Sequence, residues 1–130
     1  RKVDGYTLSK PVRTGDQNAD NRINDKPAIT LPVALPKGDR QKWLIEKITE
    51  LGTDSLVPLT TTRSVAEPTA AAISRLQRGV IESCKQSGRN RLLQITPPQS
   101  LHDLLTTSSA SLKILACPDG NPMQSILLKP

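Results

Sequence analysis

The chain has 130 residues, with eighteen Lys and Arg against twelve Asp and Glu for a formal net charge of +6, and only Tyr6 and Trp43 as aromatic residues. That length suits one domain around a single core, and the basic balance favours a polyanionic partner, nucleic acid being the commonest. With almost no rings on which to stack bases, a single-strand reader built on aromatic platforms is disfavoured.

Residues 1–27 show neither helical nor strand period and are crowded with Asp, Asn, Gly and Pro, as expected of a linker or the edge of a preceding domain. At 28–35, A-I-T-L-P-V-A-L reads as a short strand buried on both faces, with Pro32 asking for an edge position or a bulge. Residues 39–51 put Leu44, Ile48 and Leu51 at helical spacing beside Ile45, with Asp39 as a cap and Gly52 as the stop. S-L-V-P-L-T at 55–60 predicts a second strand. The longest helix spans 68–88, with Pro68 near its first turn, Ile73, Leu76, Val80 and Cys84 along one face, and Gly88 closing it. A strand at 92–96, a short helix at 101–105, a strand at 111–118 and an apolar patch at 123–128 complete the series.

Strands alternating with helices predict an α/β fold, a parallel sheet with right-handed crossovers and helices on both faces. Ligands of such sheets gather at the carboxyl ends of the strands. Lys37 and Gly38 follow the first strand and Arg63 follows the second, so two cations are expected on one rim. On the long helix Arg75, Arg78, Lys85 and Arg89 fall close to one face, which suits either a phosphate backbone or plain solvation, and Arg91 continues the basic run.

Cys84 and Cys117 stand far apart with His102 between them, which is neither a zinc spacing nor a disulfide framework. Both are expected as reduced cysteines on apolar faces, His102 as structural or solvated, and no metal is expected. No window approaches the roughly twenty apolar residues of a membrane helix, and no signal peptide opens the chain. A cytoplasmic protein without membrane contact is the expectation. Phosphate-binding glycine patterns, H-E-x-x-H and G-x-S-x-G are missing, so no catalytic residue is named.

The chain also carries a resemblance. K-G-D at 37–39, Lys47 with E-L-G at 50–52, P-L at 58–59, R-S at 63–64 and E-x-x-x-Q-x-x-R at 82–89 stand together across residues 31–118. In order and spacing they resemble the RsmE family of 16S ribosomal RNA uridine-N3 methyltransferases, of the SPOUT class of knotted enzymes that use S-adenosyl-L-methionine (SAM). The resemblance implies a homodimer with an N-terminal PUA-like β-barrel, SAM as cofactor, and 16S ribosomal RNA or the small ribosomal subunit as partner. Residues 1–27 would be a linker and barrel remnant, and 28–130 an incomplete SPOUT domain. Ala116, Cys117 and Pro118 match the position that borders the cofactor in the family. Arg63, Gln86 and Arg89 match positions near the RNA-facing or active-site rim. The family's G-P-E-G-G and L-G-x-R segments do not occur here, so an inactive portion of the enzyme is expected. The alternative is a non-catalytic RNA-binding α/β domain that uses Lys37, Arg63 and the basic helix.

Overall fold

The computed structural model describes residues 27–127, together with the backbone of Lys2–Val3 (β1) and Tyr6–Thr7 (β2), which pair antiparallel. Beyond that ladder and Pro27, the reading of residues 1–27 as linker and barrel remnant lies outside the described residues. Next in chain order come β3 (Thr30–Val33), α1 (Arg40–Glu50), β4 (Ser55–Thr60), α2 (Ala70–Ser87), β5 (Gln94–Ile95), β6 (Gln99–Ser100), α3 (Leu101–Thr107) and α4 (Met123–Leu127). β3, β5 and β6 each pair with β4, always in parallel, so the α/β class expected is the one observed.

Proline placement explains the sheet's irregularities. The Ile29 carbonyl accepts from the amides of Asp54 and Ser55 at 3.0 and 3.1 Å, so strand alternation turns Leu31 toward β4 and Pro32 toward the open edge. Its missing N–H therefore removes no rung, as the edge expectation required. β3 is not buried on both faces, however: Thr30 and Pro32 are exposed, and Leu31 and Val33 are half-buried. An edge strand has only one flanking neighbour to cover it. In β4, Leu56, Val57, Pro58 and Leu59 are all buried. The Leu56 carbonyl accepts from Thr96 N–H, so the same alternation aims the donor-less nitrogen of Pro58 at the stretch where Pro97 and Pro98 interrupt the neighbouring strand. There the pairing slips by one residue, from Leu56 opposite Ile95 to Leu59 opposite Gln99. The strand expected over 92–96 is thus cut to Gln94–Ile95, with β6 resuming after the two prolines.

α1 and α2 pack against each other, and their buried side chains Ile45, Ile48, Leu76, Val80 and Cys84 join Leu56, Leu35 and Leu93 in one core cluster. Both helix boundaries match their sequence signals within two residues. Thr69 caps α2 by accepting from Ala72 N–H, and Gly88 ends it at φ 65°, a left-handed turn that costs glycine little. Asp39, expected as the cap of α1, is itself helical at φ −63° and makes no side-chain cap bond. The turn is closed instead by Gln41, whose amide bonds the Gly38 carbonyl and whose side chain bonds the Pro36 carbonyl at 2.8 Å. Leu51, expected on the apolar stripe, is 80% exposed. The buried face runs through Ile45, Ile48 and Thr49, and at 100° per residue Leu51 falls well round the helix from its centre.

The largest departure is at 111–118, which forms no strand and is exposed throughout. An apolar run becomes a strand only where a neighbour supplies rungs for its N–H and C=O groups, and no described strand pairs with this one. Cys117 is exposed for the same reason, whereas Cys84 is buried as expected. The patch at 123–128 forms the helix α4 as far as Leu127, and Leu128 lies outside the described residues.

Candidate nucleic-acid interface

Because β3 and β4 are parallel, their carboxyl ends share one rim of the sheet. Lys37 lies four residues beyond β3 and Arg63 three beyond β4, and both are exposed. Gly38, at φ 61° with no atom within 4 Å of where a Cβ would stand, makes the turn that lifts Lys37 to the rim. After β4 the chain folds back on itself, with Ser64 bonded to Thr61, and carries Thr62 and Arg63 at the tip.

From this rim a cleft of about 770 Å³ runs between α1 and α2. Lys37 and Arg75 line it, Gln86 stands on the last turn of α2, and Ile45, Leu76 and Gly79 contribute apolar surface. Carboxylates line it as well, among them Glu46 and Glu82, which composition could not reveal. They are matched by lysines: Glu46 lies 3.9 Å from Lys42, and Glu82 lies 3.0 Å from Lys85. Lys47 pairs with Glu50 at 2.8 Å, and this hydrogen bond holds its ammonium above the ordinary lysine pKa.

The predicted basic stripe is therefore not one surface. Lys85 belongs to an ion pair on the helix, while Arg78 and Arg91 are exposed outside the cleft. Arg89 is turned into the fold: its Nη1 donates to the carbonyls of Thr49 and Thr53 at 2.9 and 3.0 Å, and its side chain is only 17% exposed. Thr53 and Asp54 precede β4, so Arg89 sits at the amino end of the strands, opposite the rim where Lys37 and Arg63 lie. That corrects the expectation of a rim position for Arg89. The signal missed in the sequence is T-T-R-S at 61–64, whose hydroxyls are suited to closing a turn on their own backbone.

Ala116, Cys117 and Pro118 are exposed and line neither this cleft nor a smaller apolar one of about 420 Å³ beside Trp43. As placed, they do not build a pocket for a group the size of SAM. His102 is exposed, in keeping with the solvated reading, and among the described residues no three of His, Cys, Asp and Glu converge on a metal position. No described helix is long and apolar enough to cross a membrane.

Residues 24–129 match the model of the RNA methyltransferase domain. The chain belongs to that family. Two curated relatives agree with the resemblance read from its motifs. The ribosomal RNA small subunit methyltransferase E of Synechocystis is 39% identical over 70 residues, 54% of this chain and 23% of that protein. The enzyme of the same name from Bacillus subtilis is 33% identical over 81 residues, 59% of this chain and 32% of that protein. Among solved structures, the ribosomal RNA small subunit methyltransferase E of Neisseria gonorrhoeae, bound to S-adenosyl methionine, superposes with a TM-score of 0.58 at 31% identity, covering 62% of this chain and 34% of that one. The chain thus spans about a quarter to a third of the length of the curated relatives it matches.

Proposed function

We propose that this RNA methyltransferase domain belongs to a SAM-dependent enzyme that methylates N3 of a uridine in 16S ribosomal RNA of the small subunit, and that the chain supplies its RNA-facing rim. The reading rests on the family match over residues 24–129, joined to the arrival of Lys37 and Arg63 at the same ends of two parallel strands. The homodimer and the assignment of 28–130 to an incomplete SPOUT domain belong to the same proposal.

Methylation at N3 requires a uridine that is unpaired or turned out of its helix and that gives up the N3 proton. Cations at the rim bind the flanking phosphates and stabilise negative charge developing on the base. Lys37 and Arg63 take these roles, with Arg75 following the chain into the cleft. SAM supplies the methyl group when bound. Because Ala116, Cys117 and Pro118 build no pocket as placed, no step of the transfer is assigned to them, and the 130-residue chain is expected to be inactive by itself. The same observation favours a second reading, a non-catalytic RNA-binding portion.

The test joins two titrations. Lys37→Ala should weaken binding of a labelled single-stranded RNA oligonucleotide, measured by anisotropy over a salt series, and flatten the log–log salt slope by about 0.7, because the variant neutralises one phosphate fewer. SAM affinity, measured by calorimetry, should change less. Equal RNA binding by variant and parent removes Lys37 from the interface. SAM binding by the 130-residue chain itself would overturn the view that its own residues leave the cofactor pocket unformed.

A further inference from the structure

Ser64 holds no role in the reading above, yet it closes the loop that carries Arg63. The Thr61 amide donates to Ser64 Oγ at 2.9 Å, the two hydroxyls Thr61 Oγ1 and Ser64 Oγ lie 2.9 Å apart, and the Ser64 amide donates back to the Thr61 carbonyl at 3.0 Å. Three bonds thus clasp four residues directly after the last residue of β4. The Thr61 amide is the first beyond the strand, and Ser64 Oγ is its partner in place of a ladder rung. Thr62 and Arg63 are exposed at the tip, and Arg63 has no ion pair or hydrogen bond among the described residues.

We propose that Ser64 is a positioning residue for RNA binding: its hydroxyl sets the shape of the 61–64 loop before RNA arrives, so that Arg63 meets a phosphate without first ordering the backbone beneath it. A loop ordered in advance does not lose that freedom on binding, and affinity rises by the amount saved. Two side chains of the loop contribute to the clasp, but only Ser64 supplies both an acceptor for the amide and a partner for the second hydroxyl. This inference rests on the rim meeting RNA, so its test includes variants that probe the rim independently.

The experiment compares Arg63→Ala, Ser64→Ala, Ser64→Thr, the double variant Arg63→Ala with Ser64→Ala, and Lys37→Ala, using a fluorescein-labelled single-stranded RNA oligonucleotide and a thermal melt of each protein. Ser64→Ala should weaken RNA binding about fivefold, the worth of a typical net hydrogen bond, and lower the melting temperature by no more than several degrees, leaving the protein folded at the temperature of the binding assay. Ser64→Thr keeps the hydroxyl and should restore binding. The double variant should bind no more weakly than Arg63→Ala alone, because the clasp acts through that arginine. Wild-type binding by Ser64→Ala, or additive losses in the double variant, overturns the inference. If Arg63→Ala binds normally while Lys37→Ala does not, the inference fails and the rim reading stands. If neither changes binding, the rim reading itself has failed.

Discussion

Arg89 joins four segments of the chain. Its backbone amide bonds the Cys84 carbonyl, its guanidinium holds the carbonyls of Thr49 and Thr53, and Nη2 lies 4.0 Å from the Asp54 carboxylate, which accepts the Ile29 amide at 2.9 Å. The ends of α1 and α2 are thereby tied to the starts of β3 and β4. Arg89→Met leaves the Thr53 carbonyl without its donor and the Thr49 carbonyl with the Gly52 amide alone, and should cost about 1 to 3 kcal/mol of stability in urea unfolding. Arg89→Lys should recover only part of this, since one ammonium cannot serve both carbonyls and the Asp54 carboxylate as Nη1 and Nη2 do together. An unchanged urea midpoint for Arg89→Met would refute the anchoring role. The sequence could not reveal it, because Arg89 shares a helical face with Arg75 only while the helix continues. Gly88, in the left-handed region, has already taken the chain off α2, and beyond it the helical offset has no meaning. The outcome also bears on function, since a guanidinium committed to main-chain oxygens is not available to a phosphate.

At the scale of elements, Gly79 faces Ile45 where α1 packs on α2. A Cβ built on Gly79 would lie 3.5 Å from Ile45 Cγ2, an ordinary van der Waals distance. Helix propensity therefore decides the sign: Gly79→Ala should stabilise the protein by up to about 1 kcal/mol and raise its melting temperature by several degrees. A lower melting temperature would mean that the helices cannot accept even one methyl group. Most boundaries here were legible because each carries local chemistry, such as Pro68 and Gly88 around α2 or the apolar run of β4. Those that were not legible depend on a neighbour. The break between β5 and β6 is visible as Pro97–Pro98, but its register slip follows only once Pro58 of β4 is known to face it. Leu51 reads as core from its spacing to Ile48, and its exposure follows from where the buried face is centred. The candidate site divides in the same way. Lys37 and Arg63 were placed on one rim by the parallel-sheet rule, whereas the carboxylates that share the cleft with Arg75 are visible only after α1 and α2 are packed.

For the whole molecule, the described core is concentrated between Thr30 and Ile95, where the buried cluster and all the parallel pairings of β3 and β5 with β4 lie. Residues 109–126 are exposed, Leu112 at 56%, Ile114 at 45% and Leu115 at 82%. Residues 111–119 donate no backbone hydrogen bond to any described partner, whereas Ile45, Ile48 and Thr49 are buried in the helix and Leu56–Leu59 in the central strand. Local opening free energy follows burial and hydrogen bonding, so the two regions belong at opposite ends of the stability range. Amide hydrogen exchange measures this directly. Amides of 111–119 should exchange near the rate of an unstructured peptide, while those of Ile45–Thr49 and of Leu56, Val57 and Leu59 should be slowed toward the limit set by global unfolding. Protection of 111–119 beyond about a hundredfold, an opening free energy of roughly 3 kcal/mol, would mean that this segment holds strand structure in solution, as its apolar run suggested. In that case Ala116, Cys117 and Pro118 would stand at a true strand end, where an α/β sheet collects its ligands, and the cofactor position implied by the motifs would regain its footing. Unprotected amides would instead leave this chain with a basic rim and no strand end at Ala116–Pro118 to border a cofactor.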